Sequence, residues 1–308
     1  MNKKLLQNDF ENIFETPLSD YIVDKINKYN FEYEEVTFEE YNNALKSIIN
    51  SLFNPDLPKA GEQRLEMWEK GWGENLEKLQ KEKKIDSINP LYFGKFPIVR
   101  FKQRFIRPLT KEFEANSLSV IQDWLFDKYL RLHDHIYEFG CGTGHNLLRV
   151  RQVNPNAELW GLDWATSSQG IINEIRKNGI DKNIYAHRFD YFNPDLAFSL
   201  GNNSAIYTVA SLEQIGDRHT KFIEYILQKK PDICIHIEPI GELLDPENLL
   251  DLLSIRYFEK RNYLKGYLDA LKKLEKENKI KIIDARRSFI GSLFIDGYSI
   301  IIWKPKNI

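Results

Sequence analysis

The stretch "IYEFGCGTGHN", Ile136 to Asn146, sets Gly140, Gly142 and Gly144 on alternate residues directly after an apolar run. These glycines can take positive φ and carry no Cβ, so a ligand can pack on the backbone itself. The spacing lacks the third glycine of the dinucleotide fingerprint and the G-K-S/T of a nucleoside-triphosphate loop. Asp163 in "GLDWA" lies nineteen residues beyond Gly144. At a strand end, such a carboxylate can accept from both hydroxyls of a ribose. Trp164 beside it offers a flat face to a base. Asp190 in "HRFDYF" can accept from an adenine amino group. A glycine loop, a ribose acid and a base acid thus come in chain order.

Further candidates lie beyond. Glu213 and Gln214 in "SLEQ" either face the active site or order the loop that holds them. His236 and Glu238 alternate along "CIHIEPI" and share one face of a strand. They can hold or deprotonate an acceptor; the other reading of His236 is a buried, hydrogen-bonded histidine. His219 opens a helix and reads as structural or solvated, with the pocket within its reach as the alternative. Two basic and aromatic stretches stand out. "KFPIVRFKQRFIR" alternates Arg100, Lys102 and Arg104, and "IRYFEKRNYLKGY" holds Arg256, Tyr257, Arg261 and Tyr263. Such residues suit an anionic acceptor through charge-assisted bonds. The alternative is a solvated helix face with aromatic staples.

The elements that must position these residues come in two styles. The first 115 or so residues read as mostly helical. "TFEEYNNALKSIINSLF" opens with Thr37 and Glu40 in capping-box spacing. The helical stretch "EQRLEMWEKGWGENLEKLQKEKK" is expected to break at Gly71 and Gly73. "LYFGKFPIVRFKQRFIRP" reads as extended, and "SLSVIQDWLFDKYL" as an amphipathic helix. From about residue 133, strands "HIYEFG", "AELWGLDW", "IYAHRFDY", "SAIYTVA" and "DICIHIEPI" alternate with helices, which predicts a covered parallel sheet. "KIIDARRSFIG" and "LFIDGYSIIIWKP" leave no room for a crossover helix and should pair as an antiparallel hairpin. The fold class is therefore α/β, five parallel strands closed by that hairpin.

Composition excludes little. The 308 residues carry a net charge of −2, with 42% hydrophobic and 29% charged residues, as expected of a globular protein. No large field favours a polyanion, so nucleic acid is not indicated. The two cysteines, Cys141 and Cys234, offer neither metal spacing nor a disulfide framework, and a reducing cytoplasm is the simple reading. The N-terminus shows no signal peptide. The longest apolar run, "YSIIIW", is too short for a membrane span.

Residues 133–305 resemble the class I S-adenosylmethionine (SAM)-dependent methyltransferases. "YEFGCGTGHN" is similar to the family's first motif, "GLDWA" to the second, "FDYF" to the third and "VASLEQIGD" to the element after the fourth strand. The terminal hairpin matches the family's antiparallel seventh strand. The resemblance implies SAM as cofactor, with S-adenosylhomocysteine as product. It implies cofactor binding by Glu138, Gly140, Cys141, Gly142, Gly144, Asp163, Trp164, Asp190 and Tyr191. Glu213, His236 and Glu238 become catalytic candidates. Gln214, Arg100, Arg104, Arg256, Tyr257 and Arg261 become acceptor contacts. Neither a "DPPY"-type element nor a Pro-Cys nucleophile comes after the fourth strand, and no Lys-Asp-Lys-Glu set is apparent. The expectation is methyl transfer to O or N of a small, possibly anionic, metabolite or sugar-type acceptor. The alternatives are a protein or RNA methyltransferase, or a non-catalytic SAM-binding protein. Residues 1–115 are expected to cap residues 116–308, docking Trp68, Trp72, Tyr92, Phe93 and Phe96 on the sheet edge. A helical insert at about 246–278 is expected to form the opposite wall.

Overall fold

The computed structural model describes residues 2–89 and 93–306; Tyr92 lies outside them. The first part of the chain carries helices α1 (Gln7–Phe14), α2 (Asp20–Lys28), α3 (Phe38–Phe53) and α4 (Leu65–Glu82). It also carries strands β1 (Lys3–Lys4), β2 (Glu32–Glu35), β3 (Val99–Phe101) and β4 (Arg104–Pro108). The capping box of α3 forms as expected: Thr37 Oγ1 accepts from Glu40 N, and the Glu40 carboxylate accepts from Thr37 N. The expected break in α4 does not occur. Trp72, Leu76 and Leu79 pack against the core from this helix, and that burial outweighs the weak propensity of Gly71 and Gly73.

β3 and β4 turn about Lys102 and Gln103, both at positive φ (48° and 59°), in the two-residue form that suits strand twist. The hairpin corrects the expected alternation of basic residues. Arg100 pairs with Phe105 and Phe101 with Arg104, so Arg100 and Arg104 face opposite ways.

The second part takes the expected order: α5 (Phe113–Tyr129), β5 (His135–Phe139), α6 (His145–Val153), β6 (Glu158–Asp163), α7 (Thr166–Lys177) and β7 (Ile184–Arg188). Then come β8 (Ser204–Val209), α8 (Thr220–Lys229), β9 (Ile233–Glu238), α9 (Leu249–Arg261) and α10 (Tyr267–Lys276). The chain ends with β10 (Ile280–Arg286), β11 (Ile290–Gly291) and β12 (Ser299–Pro305). The large sheet runs β10-β12-β9-β8-β5-β6-β7. β5 to β9 are parallel, while β12 is antiparallel to both β9 and β10. The order reverses at β5, which lies between β6 and β8, and this switch point is where open α/β sheets take ligands.

One connection was not legible. β11, inside the terminal hairpin, leaves the large sheet and pairs with β3, completing a second, antiparallel sheet β1-β2-β4-β3-β11. The N-terminal region is mainly helical, as expected, and adds the four short strands of this sheet. Its Leu5, Phe10 and Phe31 share one buried cluster with Val120, Ile136 and Ile235. Phe14 stacks on Trp124 at 4.1 Å. With packing on both sides, α5 is buried continuously from Ser117 to Phe126, so it is not amphipathic. Its buried Asp123 is matched by Arg149 at 2.9 Å. α4 lies on α7 closely enough that a Cβ on Gly170 would stand 2.7 Å from Leu76 Cδ2. Among the described residues, no helix is long and apolar enough to cross a membrane.

A Cβ at Gly71 or Gly73 would meet nothing within 4 Å. Gly71→Ala and Gly73→Ala are each expected to stabilise the protein by about 0.5–1 kcal/mol. Urea midpoints that stay level or fall would mean that α4 uses these glycines for something other than local structure.

Candidate active site

Two hollows open at the carboxyl ends of β5, β6 and β8, and Trp68, Trp72, Gly140 and Ala210 border both. The inner one, about 70 Å³, lies among Asp163, Trp164, Phe189, Tyr191, Phe192, Gln214 and Ile215. The larger, about 470 Å³, is walled by the glycine loop, Glu213, Arg261, Tyr263 and the aromatic Phe93, Phe96 and Tyr298. α4 supplies the shared roof, with Trp68 and Trp72 stacked 5.3 Å apart. The Glu69 carboxylate on the same helix accepts from the amides of Thr166 and Ser167, which holds α4 on the amino end of α7.

Gly140, Gly142 and Gly144 have φ of 70°, 51° and 73°, the left-handed region that favours glycine. The nearest atoms to a Cβ there belong to the protein itself. At Gly140 it would stand 2.4 Å from Ser211 Cβ, and at Gly142 it would stand 2.9 Å from Trp72 Cζ2. Asp163 fastens the loop to the next strand. Its Oδ2 accepts from Gly142 N and its Oδ1 from Ala165 N, both at 2.9 Å. Burial pushes this carboxyl up to about 6 against those bonds. Each oxygen keeps a second lone pair for a ligand. Beneath the loop, Glu138 accepts from Asn146 Nδ2 (2.6 Å) and Tyr207 Oη (3.1 Å). Burial pushes it up to about 8. Cys141 lines the larger hollow, and burial raises its thiol well above the usual range, which leaves it inert.

Tyr191 reaches the inner hollow and shares a hydrogen bond with Ser211 Oγ at 3.1 Å. Asp190 beside it does not line either hollow. Its Oδ1 accepts from Phe192 N at 2.9 Å, which caps its own turn.

The loop after β8 carries the next candidates. Ala210 has φ of 46°, a strained value for a residue with a Cβ. Glu238 organises the three residues after it, accepting from the amides of Ser211 and Leu212 (3.1 Å each) and Glu213 (3.2 Å). Burial pushes its carboxyl up to about 7 against those bonds. Glu238 lies under the loop rather than in a hollow. Glu213 itself borders the larger hollow, and Gln214, donating to Glu213 Oε1 at 2.9 Å, borders the inner one. Burial, and then the nearby Glu238, push Glu213 up to about 8.

His236 is corrected to a core residue. Its Nε2 accepts from the Trp303 indole N–H at 3.0 Å, with the Tyr267 hydroxyl at 2.9 Å. An indole nitrogen only donates, so the ring proton sits on Nδ1, 3.0 Å from Thr208 Oγ1. Burial holds this ring neutral, lowering it to about 3. Its interior partners leave it nothing to offer an acceptor. His219 Nε2 meets the Lys265 carbonyl at 3.0 Å, in keeping with a structural part.

The basic residues separate sharply. Arg100 is 2% exposed and donates to the carbonyls of Leu250, Leu293 and Phe294 and to Ser254 Oγ. It clamps β3 to the segment around β11. Arg104 lies 3.6 Å from Glu35, and Arg256 2.8 Å from Glu259, both at the surface. None of the three lines a hollow. Tyr257 is buried against Phe294 (5.2 Å) and accepts from Arg261 Nη1 at 3.1 Å. Of the four expected arginines, Arg261 alone borders the larger hollow. Phe189, Phe192 and Ile215 were not anticipated as site residues, although the two phenylalanines flank Asp190 in "RFDYF".

No protein-family model matches the chain. No curated protein matches it in sequence. Solved structures resemble it at low identity. Human N-acetylserotonin methyltransferase, in complex with SAM, is 11% identical with a TM-score of 0.49, covering 93% of this chain and 70% of that one. Geranyl diphosphate methyltransferase, with its diphosphate and sinefungin, is 12% identical with a TM-score of 0.48, covering 79% and 98%. An O-methyltransferase from neocarzinostatin biosynthesis, with S-adenosylhomocysteine and a dihydroxynaphthoic acid, is 13% identical with a TM-score of 0.42. That match covers 63% of this chain, which spans only 58% of that enzyme. These are distant likenesses. The strand order itself, five parallel strands closed by an antiparallel pair with the glycine loop after β5, is the one expected from the sequence.

Glu138 gives a pH test. Its folded value of about 8 stands above its ordinary 4.5, so the folded chain keeps a proton that the unfolded chain has released. The stabilisation is complete below 4.5 and is lost as pH rises through 8, at about 1.4 kcal/mol per unit of difference. Glu138→Gln should therefore show a smaller fall in melting temperature between pH 5 and pH 8 than the natural chain. Equal falls would place the Glu138 proton elsewhere.

Proposed function

We propose that the chain is a SAM-dependent methyltransferase that places a methyl group on an oxygen or nitrogen of a small-molecule acceptor. The observation that carries this reading is the meeting of the two hollows at Gly140 and Ala210. A ligand with its base in the inner hollow presents its other end to whatever fills the larger one.

The side chains fit that cofactor. Trp164, Phe189, Phe192 and Ile215 offer flat apolar walls to an adenine. Gln214 Oε1 is buried without a hydrogen-bond partner at the same hollow and can accept from an adenine amino group, the part expected of Asp190. Asp163, which lines the inner hollow, is assigned the ribose hydroxyls, and the glycine loop the methionine portion. When bound, SAM supplies a methyl group already activated on a sulfonium sulfur. The chain then has to align the acceptor, exclude water and take a proton. The Trp68 and Trp72 roof excludes water. Glu213, at the larger hollow with a carboxyl raised to about 8, holds its proton in the resting chain; once ionised it is a stronger proton acceptor than an ordinary carboxylate, and in that form it is assigned the base. Glu238 positions it through the three amides.

Calorimetry with S-adenosylhomocysteine on the full chain tests the reading. Binding is expected in the natural chain. Asp163→Ala should weaken it by about 2–3 kcal/mol, through loss of a charge-assisted ribose contact. A folded Asp163→Ala protein with unchanged affinity would sink the assignment of that residue, and no binding by the natural chain would sink the whole reading.

A further inference from the structure

We infer that the larger hollow holds an anion subsite centred on Arg261, with Arg64 behind it, and that its natural occupant is a flat ring bearing a single carboxylate. The inference rests on the methyltransferase reading only in calling that occupant the acceptor.

Arg261 and Arg64 have no carboxylate within ion-pair distance among the described residues, whereas Arg104, Arg107, Arg131, Arg149, Arg151 and Arg287 do. The Arg261 guanidinium makes one hydrogen bond, from Nη1 to the neutral Tyr257 hydroxyl, and lies over the Tyr263 ring at 4.9 Å. Arg64 sits over Trp68 at 5.7 Å. The Nε of each arginine and the Trp68 indole nitrogen are buried with no hydrogen-bond partner. Buried donors in this number are rare unless an acceptor completes them. The two guanidiniums also feel each other's charge, which lowers Arg64 after desolvation. The acids they both feel are Tyr263, whose phenol burial keeps protonated, and Glu213, which burial and Glu238 dispose to keep its proton. The cluster is therefore a pair of cations without its anion.

Shape and charge narrow the occupant. A guanidinium fork matches the planar carboxylate with two parallel bonds. Glu213, once ionised, stands against a second negative charge at the same place. The remaining walls, Trp72, Phe93, Phe96 and Tyr298 among them, present rings for an aromatic body.

Benzoate and benzamide share a shape and differ in charge, so they serve as probes. Each is titrated into the full chain by ligand-observed NMR, with and without S-adenosylhomocysteine. Benzoate should bind about tenfold more tightly than benzamide, the usual reach of one charge-assisted contact. Arg261→Gln should remove that preference, and Arg64→Gln should reduce it, while both leave benzamide and S-adenosylhomocysteine binding as they were. Equal binding of the two probes by the natural chain, or of neither, overturns the subsite and requires no variant to fold. So does an Arg261→Gln protein that keeps the preference. Loss of S-adenosylhomocysteine binding in Arg261→Gln with benzoate unaffected would assign the arginine to the cofactor and overturn the proposal. A natural chain that prefers benzoate yet never binds S-adenosylhomocysteine keeps the subsite and removes the methyltransferase reading, so the two failures are distinct.

Discussion

Three consecutive amides, those of Ser211, Leu212 and Glu213, converge on the buried carboxylate of Glu238. Most of the site depends on that arrangement. It ties the end of β8 to the end of β9 and holds Ala210 in a conformation that it would otherwise avoid. It sets Ser211 against Gly140, Glu213 at the larger hollow and Gln214 at the inner one. A carboxylate that collects several backbone amides is a stiff joint, because each bond restricts a different residue. Glu238 thus shapes both hollows without lining either, and a cut in that joint would shift both at once.

The roof is built by a comparable economy of contacts. α4 is held by the Glu69 carboxylate on the amino end of α7 and by Leu76 lying against Gly170. Those two fixtures place Trp72 over Gly142. α7 begins just after Asp163, the last residue of β6, so the helix on which the roof rests follows directly on that carboxylate. The order of the loop, the acid and the cover is therefore maintained by one helix pair.

Much of this was readable from local pattern. The five parallel strands are short apolar runs between helical periods, and the glycine loop and its acids fall at strand ends, where spacing is informative. The terminal hairpin could be read from a connection too short for a helix. The features that escaped depend on partners far away in sequence. His236 reads equally as a base or as a core residue until Thr208, Tyr267 and Trp303 are seen around it. Arg100 looked free because Lys102 and Gln103 are not the residues that usually announce a tight turn. Gly71 and Gly73 suggested a break because propensity is local, whereas the packing that holds α4 is not. β11 is two residues long, below any periodic signal.

That small strand governs how the protein can be made. Ile290 pairs with Phe101 and Gly291 with Arg100, while the carbonyls that complete Arg100 come from residues 293 and 294. Gly291 itself admits no side chain there, since a Cβ would stand 2.0 Å from the Ile295 carbonyl oxygen. During synthesis, β3 therefore waits with an open edge, and Arg100 with unmet donors, over the 193 residues that separate Arg100 from Leu293. An open edge is a template for pairing with other chains. The nascent protein therefore carries a long-lived site for misassociation, which is covered only when β11 arrives.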